Sequence, residues 1–86
     1  MSSINLLIRK IDEYANNETI PNDVVGSKII DDIMLDDDFD LLSVEYPELS
    51  EIAECASDME YESEQYSRRS REKIKELSTV LKSKTS

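Results

Sequence analysis

Residues 23–34 read DVVGSKIIDDIM, and this stretch decides the fold class because its composition suits a strand while its pattern suits a helix. Isoleucine and valine favour strands, but apolar and polar residues do not alternate here as they do along a half-buried strand. Gly26 costs a helix up to about 1 kcal/mol relative to alanine, so we expect it where two helices approach closely. The spacing predicts a broad apolar helical face formed by Val25, Ile29, Ile30, Ile33 and Met34.

Helical spacing also occurs before this stretch and after it. Pro21 suits the first turn of the predicted second helix, and Pro47 opens a third helix with Glu48 and Glu51 in its first turn. Asp38 is placed to cap a short helix between them that carries Phe39, Leu42 and Leu41. The remaining apolar faces are Ile4, Leu7, Ile8, Ile11 and Ala15 in the first helix, Leu49, Ile52, Ala53, Ala56 and Met59 in the third, and Tyr66, Ile74, Leu77 and Leu81 in the last.

The boundary between the last two helices is open. Neither glycine nor proline follows Pro47, so residues 48–82 are compatible with one helix or with two. Ser57 and Glu60 fit a capping box, and a break within residues 57–63 would let the chain fold back and bury both apolar faces. We favour the break. The sequence therefore predicts an all-α protein, a single helical domain over residues 1–86 built as a small antiparallel bundle of about four helices with room for a fifth short one.

Charge is distributed unevenly along the 86 residues, whose net charge is −10. Residues 11–64 contain 18 acidic side chains and one basic side chain, Lys28, whereas residues 65–86 contain seven basic and two acidic ones. The basic segment suits either contact with nucleic acid phosphates or an amphipathic helix docked on the acidic body, with support from a pair between Glu64 and Arg68. We favour the docked helix, since the acidic body repels nucleic acid.

Several classes of function are disfavoured by the residues that are missing. The chain has no histidine, which is the commonest general base and zinc ligand, and it has no glycine-rich phosphate loop. Cys55 is the only cysteine, and we interpret it as a small apolar residue. Asp36, Asp38 and Asp40 match the first ligands of a calcium loop, but Leu41 and Pro47 occupy positions that require glycine and glutamate. We therefore expect no enzymatic activity, no metal and no cofactor.

The N-terminus does not read as a secretory signal, and no apolar run approaches the roughly 20 residues that span a bilayer. We therefore expect a cytoplasmic protein without a membrane partner. Acidic runs are often solvated surfaces. Here, however, 18 acidic side chains with only one basic side chain among them repel one another, and this repulsion lowers the free energy of unfolding. A strongly basic protein partner would offset that cost, and Tyr46 and Tyr61 would either anchor it or pack partly into the core.

The chain resembles a group of small acidic helical immunity proteins that bacteria use against nuclease toxins, namely the colicin D-type and contact-dependent growth inhibition immunity proteins. The resemblance rests on size, helical pattern and acidity, together with LLIRKIDEYANNETI at 6–20, the acidic middle, YPELSEIAECASDMEYESEQY at 46–66 and IKELSTVLK at 74–82. The chain lacks the His-Pro and Tyr-Tyr-Pro region of the immunity proteins of DNase colicins, so none of that family's binding residues is carried over.

This resemblance implies a 1:1 complex in which acidic side chains cover or plug the active-site cleft of a basic nuclease toxin domain that cleaves tRNA, with no direct binding of nucleic acid. We expect Ile33, Met34, Leu35 and Phe39 to hold the acidic segment on the core. The predicted contact residues are Asp31, Asp32, Asp36, Asp37, Asp38, Asp40, Glu45, Glu48, Glu51, Glu54 and Asp58, with Tyr46 and Tyr61 as anchors.

Two other functions fit the same sequence. A DNA mimic, such as a phage-encoded inhibitor of a host defence protein, would present carboxylates spaced like phosphates and would bind several basic partners. A helical adaptor or antitoxin subunit would instead bury an apolar face on its partner, so that its binding would be insensitive to salt.

Overall fold

The computed structural model describes residues 3–61 and 64–85, which contain five helices and no strand. The prediction of an all-α bundle is confirmed. Two of the connections end with a proline: Pro21 immediately precedes the second helix, and Pro47 immediately precedes the fourth. The helices are α1 (Ser3–Asn16), α2 (Asn22–Leu35), α3 (Phe39–Glu45), α4 (Glu48–Tyr61) and α5 (Glu64–Thr85).

Four long helices form an antiparallel ring in the order α1, α2, α4, α5. The start of α4 meets the end of α5 through an ion pair between Glu48 and Lys84. The middle of α1 meets the end of α5 where Lys82 Nζ lies 2.6 Å from Asp12 Oδ2. Because α1 also packs on α2 and α2 on α4, each long helix has two antiparallel neighbours. The short α3 packs mainly against α4 and contains no buried residue.

One core lies at the centre of this ring, and every long helix contributes to it. The α1 face predicted from spacing is buried along its whole length. The core residues are Ile4, Leu7, Ile8, Ile11 and Ala15 from α1, Val25, Ile29 and Ile33 from α2, Leu49, Ile52, Ala56 and Met59 from α4, and Ile74, Leu77 and Leu81 from α5.

The close approach predicted at Gly26 is confirmed. A Cβ atom at this position would lie 2.5 Å from the backbone oxygen of Ala56 and 3.0 Å from Cβ of Met59. Both neighbours belong to α4, and one of them is a backbone atom that no side-chain rotation can move. The contact between α2 and α4 therefore depends on the missing side chain of Gly26.

Arg71 ties the connection between α1 and α2 to α5. Its Nε donates a hydrogen bond to the carbonyl of Ala15 at 2.9 Å, and Nη2 donates to the carbonyl of Asn17 at 2.6 Å. Its Nη1 donates to the carbonyl of Ile20 and to Oδ1 of Asn22, each at 2.9 Å. One guanidinium thus donates hydrogen bonds to the end of α1, to the loop and to the first residue of α2, where the last carbonyls of α1 have no intrahelical partner. We call this set of contacts the Arg71 clamp.

Two expectations about the last helices are wrong. Ser57 and Glu60 lie inside α4, which continues to Tyr61, so no new helix begins at Ser57. Residues 62 and 63 of the predicted break lie outside the described residues. So does the side chain of Glu64, which was predicted to pair with Arg68. Tyr66 is 58% exposed, because Ser67 faces the core in its place. The small serine lets α5 lie close to α4, and its hydroxyl donates to the carbonyl of Met59 at 3.2 Å.

Candidate partner-binding surface

Three aspartates, residues 36–38, connect α2 to α3. Asp36 ends α2, and its Oδ1 accepts a hydrogen bond from the backbone N–H of Asp38 at 2.9 Å. Asp38 occupies the N-cap position of α3 as expected, but its side chain makes no capping hydrogen bond. The turn is therefore built by Asp36, while the side chains of Asp37 and Asp38 are exposed to solvent.

Apolar side chains on both sides of this turn face solvent, contrary to expectation. Met34 is 78% exposed and Leu35 is 80% exposed, so neither holds the acidic segment on the core. Leu41 on α3 is 73% exposed, although its neighbours Phe39 and Leu42 pack partly against the core. Ile33 and those two inward side chains already fill this end of the core, which leaves the other apolar residues outside.

The outer face of α3 consists of an apolar pair with acidic neighbours. Leu41 and Val44 are three residues apart and therefore share one helical face, and Val44 is 82% exposed. Asp40 and Glu45 are exposed on either side of that pair in the sequence. This arrangement resembles the apolar centre and polar rim of protein–protein interfaces.

Two shallow grooves continue this surface. One lies at the open end of α1 and α2 and is lined by Leu6, Lys10 and Leu35 together with Asp32 and residues 36–38. The other is lined by Met34 and Phe39 with Asp36, Asp37 and Asp40. The grooves share Asp36 and Asp37, so the surface is continuous. We call it the α2–α3 corner and define it by Asp31, Met34, Leu35, Asp36, Asp37, Asp38, Asp40, Leu41, Val44 and Glu45.

The carboxylates of the corner make no ion pair within the part of the chain that the structure describes, although Lys10 lines the groove beside them. The three ion pairs found there involve Asp12, Glu48 and Glu72, none of which belongs to the corner. Asp32, predicted as a contact residue, turns partly inward towards Tyr14. A hydrogen bond with Asp32, burial, and the charges of Asp32 and Glu13 raise the pKa of Tyr14.

The remaining predicted contact residues lie on α4 or at its start. Glu51, Glu54, Asp58 and Tyr61 follow one another at helical spacing and form an exposed stripe along α4, on which Tyr61 is 79% exposed. Tyr46 packs partly against the core, so of the two tyrosines only Tyr61 has the exposure of an anchor. The exposed predicted contact residues therefore form two surfaces, the α2–α3 corner and the α4 stripe, and Asp32, Tyr46 and Glu48 belong to neither.

Glu48 is engaged within the chain. Its Oε2 lies 2.5 Å from Nζ of Lys84, and its side chain is only 17% exposed. The hydrogen bond from Lys84, the hydrogen bond from its own backbone N–H and the charge of Lys84 together lower the pKa of Glu48. The ion pair joins the start of α4 to the end of α5.

Stability should depend on pH through this pair. Because the folded pKa of Glu48 is below the unfolded value near 4.5, the pair stabilises the fold above that value and the contribution is lost as pH falls through the folded pKa. We expect Lys84→Met to lower the free energy of unfolding by up to about 1 kcal/mol at pH 7 and to have no effect at pH 2. Urea titrations of both proteins at the two pH values measure this difference, and an equal effect at both would contradict it.

The like charges of the corner should destabilise the free protein. Asp37 is exposed between two other aspartates, so Asp37→Lys should raise the free energy of unfolding by up to about 1 kcal/mol at low salt. Glu72→Lys makes the same change in net charge but breaks the pair with Lys75 at 3.2 Å, and it should lower stability by about 0.5 kcal/mol. Urea titrations check both values. In about 1 M NaCl, where the Debye length is about 3 Å, the two effects should nearly vanish.

The described residues contain neither a cluster that could hold a metal ion nor an activated thiol. Among residues 3–61 and 64–85, no three carboxylates or thiols lie close enough to hold a metal ion. Cys55 packs partly against the core, and burial followed by the charges of Asp58 and Glu51 raises the pKa of its thiol. Its thiolate is therefore disfavoured at neutral pH.

No helix within the described ranges combines the length and apolar character that a membrane crossing requires. The sequence matches no protein-family model, and neither a curated protein nor a solved structure matches it.

Proposed function

We propose that this chain is a cytoplasmic inhibitor, without catalytic activity of its own, that binds a basic protein partner through the α2–α3 corner. The observation that carries the proposal is the mixture of side chains at that corner. Leu35 and Val44 are at least 80% exposed, and they lie among carboxylates that have no ion pair in the described part of the chain. This combination does not stabilise an isolated protein. A partner with an apolar centre and a basic rim would desolvate the apolar side chains and neutralise the carboxylates.

The partner that fits best is a tRNA-cleaving nuclease toxin domain, and the chain would act as its immunity protein. This identification rests on the resemblance of the sequence to small acidic immunity proteins. A nuclease must present basic side chains to hold phosphates, so its substrate-binding cleft has the charge that the corner requires. Covering this cleft would block access of the nucleic acid, and the rate of complex formation would rise with complementary charge.

The exposed apolar residues favour this function over DNA mimicry. A mimic presents negative charges in the spacing of phosphates, and it has no use for four large apolar side chains between them. The same residues are compatible with an adaptor that buries an apolar face, but such binding would not depend on salt. Salt dependence of the complex therefore separates an immunity protein from an adaptor.

The first experiment is capture of partners from a lysate of the native cell by the tagged protein, at low and moderate salt. Proteins retained on the column are identified by mass spectrometry, and each is purified and tested for cleavage of tRNA with and without an equimolar amount of this protein. Loss of cleavage in a 1:1 mixture supports the proposal. Retention of several DNA-binding proteins that salt removes would support a mimic, and retention of nothing basic would overturn both.

Two double variants test the corner once a partner is purified. Asp37→Lys with Asp38→Lys reverses charges at the rim, and we expect it to weaken binding at least about 100-fold, because charge pairs buried in an interface couple by several kcal/mol. The matched control is Glu72→Lys with Glu76→Lys, which changes the net charge equally on α5 and should weaken binding less than about threefold. Isothermal titration calorimetry measures both, and equal effects would refute the site.

Leu41→Ser with Val44→Ser tests the apolar centre. Both side chains are more than 70% exposed, so their removal should leave the free energy of unfolding within about 0.5 kcal/mol of the wild type. Binding should nevertheless weaken at least about tenfold, since central apolar contacts carry much of the binding energy of an interface. Unchanged affinity would mean that the partner contacts carboxylates alone, as a DNA mimic requires.

A further inference from the structure

The outer face of α5 carries a second charged surface, of opposite sign to the corner. Tyr66, Arg69 and Lys73 recur at the spacing of one helical face, and all three are exposed. None of the ion pairs in the described residues involves Arg69 or Lys73. Val80, which is 42% exposed, continues the same face towards the C-terminal end of the helix. We call Tyr66, Arg69 and Lys73 the basic stripe.

Local charge at the basic stripe is positive although the chain as a whole is negative. Arg68 is exposed beside Arg69 and adds to the charge. Glu72 lies 3.2 Å from Lys75, which neutralises it. Glu76 is exposed on the same face, three residues after Lys73, and offsets only part of the positive charge of the three cations.

The basic stripe and the α2–α3 corner cannot meet within one molecule. In the ring of helices, α2 and α5 occupy opposite positions, each between α1 and α4. The stripe is on the outer face of α5, and the corner is at the outer end of α2 and on the outer face of α3. Neither surface has an ion-pair partner in the described residues, although Lys73 lies near the carboxylates of α4 that surround Cys55.

We propose that the basic stripe binds the α2–α3 corner of a second copy of this chain. Arg69 and Lys73 would pair with aspartates of the corner, and Tyr66 would cover part of its exposed apolar surface. Two unlike surfaces on opposite sides of a molecule produce a head-to-tail contact, which repeats from copy to copy instead of closing as a symmetric dimer does. The patches are small and the net charges of the copies repel, so the association is weak and depends strongly on salt.

This self-association goes beyond the function proposed above, and it holds or fails whatever the identity of the basic partner. It has one consequence for that partner. A corner occupied by a second copy is not accessible, so the partner has to displace the neighbouring molecule before it binds.

The test is sedimentation of the full chain over a range of concentrations, with two charge-reversed variants. In about 20 mM NaCl the wild type should associate reversibly, and the apparent dissociation constant should rise at least about tenfold in about 500 mM NaCl. Arg69→Glu with Lys73→Glu and, separately, Asp37→Lys with Asp38→Lys should each remain monomeric. A mixture of these two variants should associate again, because each then presents the charges that the other lacks.

Three outcomes would overturn the proposal. If the wild type remains a monomer at low salt up to about 1 mM, the proposal is refuted. Failure of the mixed variants to associate refutes the pairing of these two surfaces. If the wild type is monomeric and a labelled single-stranded oligonucleotide binds it but not the Arg69→Glu, Lys73→Glu variant, the stripe is a nucleic acid site instead.

Discussion

Replacing Arg71 with alanine should lower the free energy of unfolding by about 2–4 kcal/mol. The guanidinium of Arg71 makes four hydrogen bonds, three of them to backbone carbonyls of residues 15, 17 and 20. Hydrogen bonds to a charged group contribute about 1.5–3 kcal/mol each, but these four share one partly exposed side chain and are not additive. Small domains are stable by only about 5–15 kcal/mol, so the loss would be a large fraction of the total.

Two substitutions distinguish the clamp from a general effect of charge. Arg69→Ala removes an exposed arginine two residues away and should change the free energy of unfolding by less than about 0.5 kcal/mol. Arg71→Lys keeps the charge but cannot direct several donors at once, so it should recover less than half of the loss. Urea denaturation followed by circular dichroism measures all three variants. Full recovery by lysine would show that charge, and not the geometry of the clamp, stabilises the connection.

Gly26→Ala should lower the free energy of unfolding by about 1–3 kcal/mol, and Gly26→Val should lower it further. Alanine is the better helix former by about 1 kcal/mol, so the intrinsic effect of the substitution is stabilising. The added Cβ would lie 2.5 Å from the carbonyl oxygen of Ala56, a backbone atom of the facing helix. Helices α2 and α4 would have to separate, and their separation would open the core around Val25 and Ile29.

Ser27→Ala is the matched control for helix propensity. Ser27 is the next residue of α2 and is only partly buried, so the change to alanine should be neutral or slightly stabilising. Thermal melts of the two alanine variants give the comparison directly. If Gly26→Ala were as stable as Ser27→Ala, the two helices would not be held at the distance that the structure shows.

The bundle was predictable because its core stripes follow the helical period without interruption. The five α1 residues identified from spacing are all buried, and so are four of the five identified in α4. The role of Gly26 was also predictable, since a glycine within the apolar face of a helix has few reasons to be there other than a close contact. Periodicity indicates which residues share a helical face, and for the long helices this was sufficient to identify most of the core.

Details that depend on the facing helix could not be predicted in the same way. Tyr66 and Ser67 are adjacent, and hydrophobicity alone favours burial of the tyrosine. The structure buries the serine because α5 lies close to α4 there, and the hydroxyl finds a backbone carbonyl. Arg71 was similarly counted only as part of a basic segment, because its carbonyl partners are about 50 residues away in the sequence and have no signature of their own.

The charge of the candidate surface was evident from the sequence, but its apolar part was not. Met34 and Leu35 follow Ile33 directly, so they were expected in the core. Their exposure is decided by the position of the turn after Leu35 and by Phe39, which packs where they would otherwise lie. Val44 gave a weak signal, since it falls outside the apolar spacing of α3, and an apolar residue outside the buried stripe of a helix is a reason to look for an interface.

The pairing of α1 with α5 has a consequence during synthesis of the chain. The contacts that join these helices connect residues 56 to 70 positions apart, such as Ala15 with Arg71 and Asp12 with Lys82. While the ribosome is still extending the chain, α1, α2 and α4 can collapse together, but the apolar side of α1 that α5 covers stays open. At about 5–20 residues per second, the synthesis of α5 takes some seconds, and that side of α1 stays exposed until α5 has left the exit tunnel.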